Sequence, residues 1–122
     1  MIEKRRFHRV RFTANSVLAH DGITYRGQLE NISLSGALVS FSDGIIVPQG
    51  DECILTVYLE DEGTPLRFMV EVMHSSYTMA GIKFVSFDAD TKVRLYKLME
   101  RMTTEPGKLR DELQLLDREK TL

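Results

Sequence analysis

The sequence predicts a mainly β fold, a six-stranded antiparallel β-barrel with one or two C-terminal α-helices. Three observations carry this. Apolar residues mostly alternate from Asn15 to Phe87, which is the period of a half-buried strand. Turn signals at Asp21-Gly22, Asp43-Gly44 and Glu62-Gly63 interrupt that alternation at strand-length intervals. After Phe87 the apolar spacing changes to three and four residues, the period of a helix.

Strands are expected near residues 16–19, 23–30, 37–41, 52–59, 66–74 and 80–85. The clearest are Cys53, Leu55, Val57, Leu59 and Leu66, Phe68, Val70, Val72, each with one apolar face, and Ile82 and Phe84 close the series. Short connections with few helices between them favour a small barrel or a tightly curled sheet. In the second strand the apolar parity is odd at Ile23, Tyr25 and Leu29 but even by Ile32. Since the side-chain period of a strand is two, the pleat must slip near Asn31, and a bulge or sharp bend is expected there.

Asp88 or Asp90 can cap a helix carrying Val93, Leu95, Tyr96, Leu98, Met99 and Met102, expected to cover the barrel. Glu105-Pro106-Gly107 breaks it, with Pro106 placed as the first residue of a second helix. Leu109, Leu113 and Leu116 then form a narrow apolar stripe that needs a surface, either this barrel or a partner. The resulting division is a basic arm over residues 1–14, a barrel over 15–87 and helices over 88–122, all in one domain.

A length of 122 residues with 43% apolar side chains suits a single packed core. Charged residues at 28% and the lack of an apolar run of bilayer length predict no membrane insertion, and the charged N-terminus predicts a cytoplasmic protein. Cys53 is the single cysteine and is read as a small buried hydrophobe. His8, His20 and His74 have neither a nucleophile partner nor metal-ligand spacing, so neither catalysis nor a metal site is expected. The acidic clusters adjoin turns and a helix start, where solvated carboxylates belong.

Charge is distributed unevenly. Residues 3–11 hold five of the sixteen Lys and Arg, and the remainder of the chain has eleven basic against seventeen acidic side chains. The positive field is therefore local and points to a small anion, not a polyanion.

Within that segment Arg5 and Arg9 stand four apart, and Asn31-Ile32-Ser33-Leu34-Ser35-Gly36 marks the expected bend after the second strand. An RxxxR motif followed some twenty or more residues later by (D/N)xSxxG, on six strands and a terminal helix, resembles the PilZ domain family over nearly the whole chain. Gly81-Ile82-Lys83-Phe84 is similar to that family's last strand.

The resemblance implies a non-enzymatic receptor for the bacterial second messenger cyclic di-GMP. It implies signalling through contact with an unidentified effector protein in motility, chemotaxis or exopolysaccharide control, the receptor itself being a monomer. Arginine suits such a ligand, since a guanidinium forks onto phosphate, reaches guanine O6 and N7, and stacks on a purine. Carried over onto this sequence, Arg5 and Arg9 would be the ligand forks, while Asn31 and Ser33 would meet the guanine edge and Gly36 would leave room for the base. The two motifs would face each other across the barrel.

In that family a basic residue directly before RxxxR accompanies two stacked ligand molecules, so the resemblance implies two per chain through Lys4. Arg6 and Arg11 are open between ligand contact and solvated charge. His74 is open between a guanine-stacking surface and a strand-end histidine, and Phe7 is expected to anchor the arm in the core. The competing reading is a single-stranded nucleic-acid-binding barrel with Tyr25, Phe41, Tyr58 and Phe68 as base platforms. The mixed charge of the strand region and the placement of those aromatics within the apolar alternations disfavour it.

Overall fold

A computed structural model describes residues 7–60 and 63–120. Six strands, β1 (Val10–His20), β2 (Ile23–Ile32), β3 (Gly36–Ser40), β4 (Glu52–Val57), β5 (Leu66–Ser75) and β6 (Met79–Ser86), are followed by helices α1 (Ala89–Met102) and α2 (Pro106–Lys120). The strands form a closed antiparallel barrel in the order β1-β2-β3-β6-β5-β4, with β4 returning to β1 through Ser16–Ala19 against Ile54–Val57.

Closure leaves one inner face, and the alternating residues fill it: Leu18, Leu29, Ile32, Val39, Leu55, Val57, Phe68, Val70, Val72 and Ile82 are all buried. Phe68 stacks on Phe84 at a centroid distance of 4.2 Å, and Phe87 meets both rings edge-on. The expected slip in β2 is present. Its register against β3 shifts between Leu29 and Asn31, which turns both Leu29 and Ile32 inward despite their odd spacing. Asp21 and Gly22, both at positive φ, make the β1–β2 hairpin turn.

β1 begins at Val10, so residues 10–14, assigned to the arm from the sequence, are the first half of a strand. Val10, Phe12, Ala14, Ser16 and Leu18 share one parity, and Arg9 and Arg11 on either side of Val10 hid its start. A second register shift, between Arg11 and Ala14, bends this segment against β2.

Asp88 is the N-cap of α1, its carboxylate accepting from the Thr91 N–H at 2.8 Å, and that bond holds its pKa below the ordinary value. Leu95, Leu98 and Met99 face the core, whereas Val93 and Met102, expected on the same stripe, are exposed. Arg94 reaches the Thr64 carbonyl and so ties α1 to the connection before β5. In α2, Leu109 and Leu116 are buried and Leu113 half-buried, and Lys92 pairs with Asp117 across the two helices. The leucine stripe thus lies on this chain's own core. No helix among the described residues is long and apolar enough to cross a membrane.

Candidate functional site

The segment entering β1 has its apolar residues inward, with Phe7 and Val10 both buried, and this fixes where its polar side chains go. Arg9 lies beside the end of β2, where its Nη1 donates to Asn31 Oδ1 at 2.9 Å. The two motifs are therefore in direct contact, Arg9 at the entry to β1 and Asn31 near the end of β2, and do not face each other across the barrel. Asn31 keeps a second lone pair on Oδ1 and two amide N–H donors, a set that complements a guanine edge.

The turn from Asn31 to Gly36 is held from inside. Ser33 is 1% exposed, and its Oγ accepts from the backbone N–H groups of Ser35 and Gly36, both at 3.1 Å. The Ser33 N–H donates to the Gly36 carbonyl at 2.9 Å, and the Ser35 carbonyl accepts from the Phe84 N–H at 2.8 Å. The Ser33 hydroxyl, assigned from the sequence to the guanine edge, is thus engaged by the turn. Its half-buried neighbour Ser35 carries the more accessible hydroxyl of the loop, a residue that sequence reasoning passed over.

Gly36 is required for a different reason from the one expected. A Cβ there would stand 2.3 Å from the Ile82 carbonyl oxygen, so the missing side chain lets β3 approach β6. Opposite it in register is Lys83, exposed on the outer face and also missed as a candidate, although it lies within the quoted Gly81–Phe84 segment.

Strand registers place a row across five strands, Arg11 to Asn31 to Leu38 to Gly81 to His74. Along this row Arg11 and His74 are exposed, Asn31 and Leu38 are half-buried, and Gly81 is buried. His74 is exposed, and its ring lies over Gly81, where a Cβ would stand 2.3 Å from Nε2. The imidazole thus belongs to the same face as Asn31, two strands beyond Leu38. Lys4, Arg5 and Arg6 lie outside the described residues.

Behind Arg9, His8 turns the other way. Its backbone N–H donates to Glu112 Oε2 at 3.0 Å, and Nδ1 lies 2.8 Å and 2.9 Å from the two carboxylate oxygens. Its Nε2 is 2.7 Å from Thr103 Oγ1. Sequence reasoning gave no role to Glu112 or Thr103. His20, on the far hairpin, bonds Asp51, and no cluster of His, Cys, Asp or Glu among the described residues could hold a metal ion.

The site is an open face of the barrel. A cleft of about 430 Å³ lined by Phe12, Asn15, Gln28, Tyr58 and Arg101, among others, contains none of the predicted site residues. Of the four aromatics considered as base platforms, Phe41 and Phe68 are buried and Tyr25 is half-buried with its hydroxyl on the Ile46 carbonyl. Tyr58 alone of the four is exposed, so these four do not form a stacking track.

A sequence model of the PilZ domain family matches residues 3–101. The chain belongs to the PilZ domain family. No significant match was found among curated proteins. Among solved structures, the PilZ domain of YcgR from Escherichia coli, solved with cyclic di-GMP, is similar with a TM-score of 0.71 at 14% identity, over 89% of this chain and 98% of that one. The Bacillus subtilis inhibitor of motility MotI has a TM-score of 0.67 at 18% identity over 82% of this chain. This chain covers about half of that protein, 51% of its length. The MrkH complex with cyclic di-GMP from K. pneumonia has a TM-score of 0.62 at 16% identity, over 80% of this PilZ chain and 52% of that one. At these identities the likeness is one of fold.

Proposed function

We propose that this chain is a receptor for cyclic di-GMP that acts on an effector protein and catalyses no reaction. The observation that carries the reading is the Arg9–Asn31 contact, which brings the RxxxR and NxSxxG motifs together on one outer face of a PilZ barrel. The presence of cyclic di-GMP in the YcgR and MrkH structures, similar in fold, supports the ligand class.

In this reading Arg5 and Arg9 fork onto the phosphates and the Hoogsteen edges of the guanines, with Arg6 adding charge. Asn31 meets a guanine through its amide donors and the second lone pair of Oδ1. Ser33 contributes by holding the turn, Gly36 by letting that turn sit against β6, and His74 offers a stacking surface at the other end of the row. Lys4 sets a stoichiometry of two stacked molecules, whose four phosphates face a six-residue arm.

Each residue of the arm that the ligand orders costs on the order of 1–2 kcal/mol in backbone entropy. Charge-assisted contacts worth roughly 1.5–3 kcal/mol each can offset that sum only when several form together. The arm's ligand contacts therefore form together, beginning from Arg9 seated on Asn31, and the changed surface is what an effector in motility, chemotaxis or exopolysaccharide control reads. The protein is expected to work as a monomer in the cytoplasm.

Titration calorimetry with cyclic di-GMP tests this. Micromolar or tighter binding at two molecules per chain is expected, falling to one in Lys4→Ala. Absence of heat at high ligand concentration rejects the receptor reading, and a wild-type stoichiometry of one rejects only the role given to Lys4.

A further inference from the structure

Between Arg5 and Arg9, His8 is bonded to the C-terminal helices and not to the barrel. Its main-chain N–H and its imidazole both engage Glu112 of α2, and the other ring nitrogen engages Thr103 in the link between α1 and α2. Glu112 is 4% exposed, and every hydrogen-bond partner of its carboxylate among the described residues comes from His8. A buried carboxylate is costly unless it is paired, so the packing of α2 depends on the arm being in place. Conversely, Phe7 to Val10 is held by that carboxylate at the point where Arg9 must reach Asn31. Adjacent residues of one extended segment thus face two ways, His8 toward α2 and Arg9 toward the ligand face.

We infer that Glu112 is a positioning residue for the ligand-binding arm, and that ligand binding at Arg9 is coupled through His8 to the docking of α2. This deepens the cyclic di-GMP reading and rests on it. Thr103 and Glu112 both lie beyond residues 3–101, the span that matches the family, so the coupling joins His8 within that match to residues outside it. Linkage makes the effect reciprocal: whatever holds the arm stabilises docked α2, and whatever frees α2 weakens the arm. On release α2 would present Leu109, Leu113 and Leu116 together with the Glu112 carboxylate, an apolar and acidic surface that an effector can distinguish from the docked state.

The test uses the full chain with cyclic di-GMP as probe. Calorimetry on the wild type, His8→Ala, Glu112→Gln and the double variant is combined with hydrogen exchange of the α2 amides with and without ligand. Each single substitution is expected to weaken binding by about tenfold. The double variant should be no weaker than the worse single one, because both break the same link. Asp111→Asn, an exposed change one residue away, should leave affinity as it was.

Ligand should slow exchange across α2 in the wild type, and His8→Ala should abolish that slowing, a loss that mere destabilisation of the fold would not produce. Wild-type affinity in both single variants, or ligand that leaves α2 exchange unchanged in the wild type, overturns the coupling. The wild-type exchange result decides alone should Glu112→Gln fail to fold. A wild type that takes up no cyclic di-GMP removes the receptor reading itself, and the coupling with it.

Discussion

Arg9 and Asn31, 22 residues apart, are joined by one hydrogen bond of 2.9 Å from Nη1 to Oδ1. The bond fixes the distance between the cation meant for phosphate and the amide meant for guanine. Arg9→Ala should therefore remove a ligand contact and the positioning of Asn31 together, weakening cyclic di-GMP roughly ten- to hundredfold by calorimetry. Asn31→Asp should tighten binding a few-fold. One carboxylate oxygen would keep Arg9 while the other accepted from guanine N1–H and N2–H, a pair the amide cannot serve equally. Weaker binding by Asn31→Asp would place the guanine edge elsewhere.

Gly36 and Gly107 should respond oppositely to alanine. At Gly36 the new Cβ meets the Ile82 backbone oxygen at 2.3 Å, and neither strand can yield without disturbing the ladder. Gly36→Ala should cost about 1–3 kcal/mol in urea unfolding. Gly107, in the first turn of α2, has open space around its would-be Cβ, so Gly107→Ala should stabilise by up to about 1 kcal/mol. A neutral Gly36→Ala would show that β3 and β6 can separate enough to admit a methyl group.

What was legible in the sequence depended on the range of the interaction behind it. The slip at Asn31 could be read because parity is a local property of β2, and Asp88 and Pro106 because capping and helix initiation act within one turn. The arm contact of Glu112 could not, since a carboxylate beside an apolar stripe looks solvated until His8, 104 residues away, is brought to it. Ser33 falls between these cases. Hydroxyl, hydroxyl and glycine announce a turn, but whether the first hydroxyl serves ligand or backbone is decided by how tightly that turn closes.

His74 and Gly81 form a pair whose role calorimetry can separate from stability. The imidazole covers Gly81, and a Cβ there would push the ring away, at little cost because the displaced atoms are the far end of a flexible side chain. If the ring stacks on a guanine, His74→Ala and Gly81→Ala should each weaken binding by about fivefold, at the low end of base–aromatic stacking. Both should stay within about 0.5 kcal/mol of wild-type stability. Unchanged affinity in both would leave His74 an ordinary strand residue.

Cys53 reports on the barrel and not on the ligand. Burial first, then the charges of Asp51 and Asp21, push its thiol from an ordinary value near 9 up to about 11. The folded protein therefore holds this proton at pH values where the unfolded chain has lost it. Stability from this group is complete below pH 9 and is lost as pH rises toward 11, by at most about 1.4 kcal/mol per pH unit. Urea unfolding at pH 8, 9 and 10 should show that decline in the wild type and a shallower one in Cys53→Ala, which itself costs about 1 kcal/mol for the lost sulfur. Equal slopes would mean that the thiol ionises without unfolding, and that water reaches the β4 face of the core.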